Sequence, residues 1–207
     1  VAPSLGGEPK TEMWFIADAK PGAKLYVGFK EGVTREEFAT ALADGSVADK
    51  VHAITPRAGE SIFIPSGRLH AIGAGLVIYE IQQNSDTTYR VFDWNRVGLD
   101  GQPRDLHVEE SMQSIDFDDY APGMDQAHGD TIASCEHFQV DKLAVSKDGS
   151  ISNPDHDRFS IVSVVEGALT GPDGEKYPAG AFLLLPVGGQ PLRAAEDSIV
   201  LQTTIPR

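Results

Sequence analysis

One spacing occurs twice in this chain and limits what it can fold into. Gly59-x5-Pro65-x-Gly67 and Gly180-x5-Pro186-x-Gly188 each enclose a short apolar run, Ser61-Ile62-Phe63-Ile64 in the first and Phe182-Leu183-Leu184-Leu185 in the second. Such a run is too short for a stable helix, and the proline and glycine that close it favour a turn. Each copy therefore predicts a strand, a tight turn and a return strand. In the first copy His70 begins the return. At the matching place in the second stands Leu192 or a neighbour, with no histidine nearby. Chance recurrence of a Gly/Pro turn is the competing reading for so short a pattern.

The remaining chain follows the same style. Twenty-one glycines and thirteen prolines, scattered between short apolar runs, indicate many turns and an all-β fold. Met13–Ile16 and Lys24–Phe29 read as the two strands of a hairpin around Pro21-Gly22. Further strands are expected at 61–64, 69–72, 76–82 and 88–93. In the second half they are expected at 135–145, 159–165, 181–185 and 198–204. Thr34 and Glu37 form a capping box, with Val33 and Phe38 as its hydrophobic staple, so a helix is expected over 34–43. Shorter helices fit 47–52 and 106–115. Trp94 to Arg104 reads as a loop with a turn at Asp100-Gly101. Asp116 to Asp130 is an acidic connection, read either as a domain boundary or as an ordered crossing loop.

Composition excludes some classes of function. The formal net charge is −14, which argues against a nucleic-acid partner, since that needs clustered Lys and Arg. It leaves an anionic substrate open, because a few local cations can dominate a pocket. Cys135 is the only cysteine, so no intramolecular disulfide forms, which fits a cytoplasmic location. No apolar run reaches the length of a membrane span, and no signal peptide is expected. The chain starts at Val1 and is expected to be N-terminally incomplete.

Candidate chemistry gathers between His70 and Arg90. An inward His70 can meet donors from facing strands, since alternate residues line an interior; a structural histidine on a hairpin is the plainer alternative. Glu80 lies in the run Leu76-Val77-Ile78-Tyr79-Glu80-Ile81-Gln82. Burial among these neighbours would suit it to general-base work, whereas an edge position would leave it facing water. Arg90 has the planar donors that suit oxyanions, or else pairs with Asp86 or Asp93 at the surface. Of Gln82 and Gln83 only one can face a pocket. Trp14 reads as core. His52, His107, His128, His137 and His156 lack ligand-like spacing, and Asp116, Asp118 and Asp119 read as a solvated linker.

The pattern Gly59-x5-Pro65-x-Gly67-x2-His70 resembles the second metal motif of the cupins. Lys10-Thr11-Glu12-Met13-Trp14, Pro65-Ser66-Gly67 with His70-Ala71-Ile72-Gly73, and the run Glu80-Ile-Gln-Gln-Asn-Ser-Asp86-Thr-Thr-Tyr-Arg90-Val-Phe-Asp93 together narrow this. They resemble type I mannose-6-phosphate isomerase in its short bacterial form, from about Gly7 to Phe117. The resemblance implies an all-β, cupin-like jelly-roll barrel with small helical insertions over 1–117. The acidic connection and the histidine-free second copy of the Gly/Pro spacing add a linker over 118–130 and a degenerate second β-barrel or sandwich over 131–207. The resemblance implies a zinc ion held by Glu12 and His70, and by family position it adds Asp86 and Lys10 to Glu80 and Arg90 as catalytic candidates; Lys10, Gln82 and Arg90 are the candidate substrate contacts. The proton carrier stays open among these. The implied reaction interconverts mannose 6-phosphate and fructose 6-phosphate. The family's upstream Gln-Val-His-Pro segment, which supplies further metal ligands, is not in this chain. The rival readings are a non-catalytic sugar-phosphate-binding module and a different metal-dependent cupin enzyme.

Overall fold

The structure is a computed structural model describing residues 4, 6–94, 96–97 and 101–206. The turn expected at Asp100-Gly101 lies partly outside them. The chain divides into two compact units, Val1–Met124 and Asp125–Arg207. Among the described residues no helix is long and apolar enough to cross a membrane.

The first unit contains β1 (Glu12–Ala19), β2 (Leu25–Phe29), β3 (Val51–Ile54), β4 (Ser61–Ile64), β5 (His70–Ile72) and β6 (Leu76–Gln82). They form two antiparallel three-stranded sheets, β4-β1-β6 and β3-β2-β5, which stay open rather than closing into a barrel. Trp14 and Ile16 of β1 and Ile62 and Ile64 of β4 pack against Leu25 and Val27 of β2 in one buried cluster. The sheets therefore share a core through alternate residues, as the period of a strand requires. Helix α1 (Arg35–Asp44) begins with the expected capping box of Thr34 and Glu37 and ends at Gly45, in the left-handed conformation. Its Phe38 packs with Val33, Phe29 and Val51 in a second cluster. A second helix, α2, spans Val108–Ser114.

Four expectations need correction here. Residues 12 to 29 are not a hairpin: β1 and β2 lie in different sheets, because both must turn apolar residues toward the shared core. Val47–Asp49 is a single 3-10 turn, and His52 belongs to β3. Residues 88–93 form no strand. The backbone of Arg90 is taken by His107, whose N–H donates to the Arg90 carbonyl at 2.7 Å. Asp119 is not solvated linker: Arg68 holds its carboxylate through Nε and Nη2, both at 2.9 Å, and Phe29 N–H donates to its carbonyl.

The second unit contains β7 (Thr131–Ser134), β8 (Gln139–Val145), β9 (Ser150–Ile151), β10 (Ser160–Glu166), β11 (Ala168–Thr170), β12 (Lys176–Pro178), β13 (Phe182–Leu185), β14 (Leu192–Ala194) and β15 (Ser198–Thr204). Cys135, expected in a strand, falls in the turn between β7 and β8. Two antiparallel sheets, β13-β10-β15-β8-β7 and β12-β11-β14-β9, enclose Val162, Val164, Leu169, Leu185, Leu192 and Val200.

Candidate active site

The first unit's inner face is apolar in its middle and charged at one end. Across β1 and β6, Trp14 pairs with Glu80 and Glu12 with Gln82. Across β2 and β5, Val27 pairs with His70. Pairing partners share a face, so Glu12, Glu80 and His70 follow the core side chains toward the same end. This end opens into a cavity of about 780 Å³, lined by Lys10, Glu12, Trp14, His70, Glu80 and Arg90 among others.

Glu12 is 1% exposed, and a buried carboxylate needs partners. The Lys10 ammonium lies on Oε2, and His70 Nε2 stands 3.2 Å from Oε1. His70 is placed by the Pro65-Ser66-Gly67 turn, where Gly67 adopts φ 98°, a region that favours glycine. Its Nδ1 lies 2.8 Å from the Arg68 carbonyl. A carbonyl only accepts, so Nδ1 carries a proton, and in the neutral ring Nε2 then turns its lone pair to Glu12. Desolvation by its surroundings holds the imidazole below its usual value, opposed by that carbonyl bond, which favours the neutral ring. A neutral Nε2 facing a carboxylate oxygen leaves two lone pairs opposed unless a proton or a cation lies between them.

That arrangement fits part of a metal site. One imidazole nitrogen and one carboxylate oxygen are zinc donors, and a ligating histidine commonly fixes its other nitrogen on a carbonyl. Glu12 and His70 supply two donors. Among the described residues no group of three or more His, Cys, Asp or Glu side chains is gathered for a metal.

Glu80 lines the cavity but is not buried: its side chain is 38% exposed. Because β6 is an edge strand, its apolar neighbours do not enclose it. Its carboxylate lies 3.3 Å from Lys10 Nζ and accepts from Trp14 Nε1 at 3.2 Å. Trp14 is core, as expected, and also meets the His70 ring edge-on at 5.3 Å between centroids. Arg90 lines the cavity and donates to the Asp105 carbonyl at 3.1 Å. Neither Gln82 nor Asp86 is brought into the cavity lining. Both are exposed, and Gln82 donates its amide to the Ser85 carbonyl at 2.7 Å.

Three features have little or no sequence signature. Arg68 joins Asp119 to the turn that carries His70 and also donates to the Phe63 carbonyl at 2.8 Å. His107 accepts the Arg90 N–H on Nδ1 at 3.3 Å and returns its own N–H to the Arg90 carbonyl, fixing that residue's backbone. Asp93 gathers Arg96 and Arg104 on the cavity wall. Arg68-x-His70 is a local adjacency that could have pointed to the first of these. The partners of Arg90 and Arg104 lie 11 or more residues away, in irregular chain.

No family model matches the chain. Among curated proteins, it is 34% identical over 193 residues to mannose-6-phosphate isomerase of Bacillus subtilis, covering 86% of this chain and 59% of that protein. It is 35% identical over 186 residues to mannose-6-phosphate isomerase of Streptococcus mutans, covering 86% and 58%. The crystal structure of the mannose 6-phosphate isomerase from Bacillus subtilis superposes with a TM-score of 0.80 at 28% identity, over 98% of this chain and 67% of that one. The chain is a relative of the mannose-6-phosphate isomerases. It spans less than two thirds of the two curated relatives. Its fold is that of the cupin-like phosphomannose isomerases. A mannose 6-phosphate isomerase bound with zinc and yttrium shares the fold at a TM-score of 0.65 and 14% identity, over 96% of this chain and 67% of that one.

Proposed function

We propose that this chain forms part of a metal-dependent mannose-6-phosphate isomerase, interconverting mannose 6-phosphate and fructose 6-phosphate in the cytoplasm. The observation that carries the reading is the buried Glu12 facing His70 Nε2 at 3.2 Å, at the end of a cavity that also holds Lys10, Glu80 and Arg90. The curated relatives, named for this reaction, support it.

The reaction moves a proton between C2 and C1 of the open-chain sugar through an enediol. A base takes the C2 proton, the C1 oxygen gains a proton as the aldehyde becomes an alcohol, and the C2 oxygen gives one up as the ketone forms. Glu12 and His70 Nε2 would hold zinc, which when bound supplies Lewis-acid stabilisation of charge on the substrate oxygens. Glu80 is the candidate proton carrier. It reaches the cavity, and the Trp14 N–H and the Lys10 ammonium hold its two oxygens, so its orientation is fixed before substrate arrives. Lys10 and Arg90 offer cationic donors to the substrate's oxygens. Arg90 needs little reorganisation, since His107 and Asp105 already hold its backbone and guanidinium. Asp86 and Gln82 stay secondary candidates outside the cavity lining.

The test is isomerase turnover of the protein with and without a chelator, with zinc restored. Turnover that falls on chelation and returns with zinc supports the reading. Undiminished turnover after the metal is removed contradicts its metal part. Sugar-phosphate binding without turnover would favour the binding-module alternative.

A further inference from the structure

The turn that carries His70 is held residue by residue. Asp116 N–H donates to the Gly67 carbonyl at 2.9 Å, and Gly28 N–H donates to the Leu69 carbonyl at 2.7 Å. Between them, the Arg68 guanidinium takes both carboxylate oxygens of Asp119 through Nε and Nη2, and Nη1 donates to the Phe63 carbonyl at 2.8 Å. The side chains of Arg68 and Asp119 are only 17% and 14% exposed. Asp119 is fixed in turn: Phe29 N–H donates to its carbonyl at 2.9 Å, and Ala121 N–H donates to the Phe29 carbonyl at 2.8 Å. Gly28, at φ 63°, makes room for it. A Cβ there would stand 2.6 Å from the Asp119 carbonyl oxygen and 2.9 Å from its Oδ2.

These contacts converge on one bond of the site. His70 Nδ1 lies 2.8 Å from the Arg68 carbonyl, and that bond selects which ring nitrogen carries the proton. The carbonyl belongs to the residue whose side chain Asp119 holds. A peptide unit is planar and turns as a whole. Gly67, at φ 98°, is the permissive joint just before it. With the Arg68 side chain released, the turn can pivot at Gly67 and swing the Arg68 carbonyl off Nδ1. The imidazole can then protonate on either nitrogen. A bidentate guanidinium–carboxylate pair resists that pivot, because two parallel bonds fix direction as well as distance. Gly67, Arg68 and Leu69 are the three residues directly before His70, so the fastening is placed where it orients the ring.

We propose that Asp119, acting through Arg68, is a positioning residue for His70: it keeps the Arg68 carbonyl on Nδ1 and so presents the Nε2 lone pair beside Glu12. The metal that Nε2 would take rests on the isomerase reading; the control of the ring rests on these contacts alone. Asp119 touches neither the ring nor Glu12's partners, and its effect travels through the Arg68 side chain and backbone.

The experiment is nitrogen-15 NMR of the His70 ring at about pH 8, where the imidazole is neutral, with calorimetric titration of added zinc. It is run on wild type, Asp119→Ala, Asp119→Asn and Arg68→Met. Wild type is expected to show the proton on Nδ1. Asp119→Ala should show both tautomers and bind zinc about tenfold or more weakly, the loss expected when a ligand's supporting partner is removed. Asp119→Asn keeps one acceptor oxygen for Arg68 and should recover part of both, which guards against a result caused by misfolding. Adding Asp119→Ala to Arg68→Met should change nothing further, because the two act in sequence. Thr34→Ala removes the cap of α1 and should leave the ring and zinc affinity as in wild type. Unchanged tautomer in folded Asp119→Ala overturns the proposal, as does equal zinc affinity in wild type and that variant, or the same changes in Thr34→Ala. A tautomer that depends on Asp119 in a protein that takes up no zinc would sink the metal reading and keep this one. Zinc uptake with a ring indifferent to Asp119 would do the reverse.

Discussion

The two units build the same hairpin and furnish it with opposite chemistry. Glu12 pairs with Ile64, the residue before Pro65; Ser160 pairs with Leu185, the residue before Pro186. Counting along the ladders from there, Trp14 opposite Glu80 matches Val162 opposite Gln202. Even the irregularity repeats: the register slips between Ile16 and Asp18 in one unit and between Val164 and Glu166 in the other. Gly59 N–H donates to Ile16 O, and Gly180 N–H donates to Val164 O. The positions of Glu12, Glu80 and His70 thus correspond to Ser160, Gln202 and, on the return strand, Leu192. In the second unit Gln202 Nε2 donates to Ser160 Oγ at 3.3 Å, and Leu192 joins the core. A strand-turn-strand scaffold therefore does not require a charged end. At that end the first unit carries Glu12, Glu80 and His70 on an open cavity, and the second carries Ser160, Gln202 and Leu192.

Exchanging those side chains tests the comparison. The largest effect is expected from Glu12→Ser, which gives the first unit the second unit's residue. Metal content and turnover should fall by more than about a hundredfold, beyond the loss that a merely supporting partner brings. Ser160→Ala should leave both unchanged and cost about 1 kcal/mol in denaturant unfolding. Next is Leu192→His, which places the first unit's residue in the second unit's core. It should destabilise by about 2–5 kcal/mol and bind no metal, since the site then lacks a carboxylate partner. Bound metal in this variant would show that the turn alone directs a ligand.

Much of this fold is legible in the amino-acid sequence. The repeated Gly/Pro spacing needs turns wherever it stands, and both copies form them. The capping box of Thr34 and Glu37 is a local signal, so α1 is readable to within a residue. Pairing is not. Alternation in Met13–Ile16 and Lys24–Phe29 shows which residues face a core, but not which strand lies alongside. Thr88–Asp93 is rich in strand-forming residues, yet its backbone is claimed by His107, a contact between irregular segments with no periodicity to reveal it. Glu80 stays open between burial and an edge position because apolar neighbours enclose a residue only in a central strand, and the run itself does not tell which strand β6 is. At the site, Glu12 and His70 are implied by a resemblance, and the structure brings them together. Asp93 meets Arg96 three residues on, but its contact with Arg104 depends on a chain reversal that no local pattern encodes.

Smaller differences should separate the two turns. Gly67 and Gly188 both have positive φ, 98° and 68°. A Cβ on Gly67 would stand 3.2 Å from the Ser114 carbonyl oxygen, while one on Gly188 meets nothing within 4 Å. Alanine should cost about 1 kcal/mol at Gly188 from backbone strain and more at Gly67, read as a difference in denaturant midpoints. The smallest effect is in acid. The folded-state value of Asp93, about 2, lies below its ordinary 3.8. Its contribution to stability is therefore complete above the unfolded value and is lost as pH falls through about 2. A carboxyl-carbon NMR titration should show Asp93 still ionised at pH 3; a midpoint near 4 would contradict the double arginine contact.

The most direct test is the zinc content of the purified protein compared with His70→Leu, which makes the first unit's return strand like the second's. Wild type is expected to take up added zinc and the variant to take up none, with β-sheet circular dichroism unchanged. Zinc retained at full stoichiometry in folded His70→Leu would contradict the claim that Glu12 and His70 form the metal-binding centre.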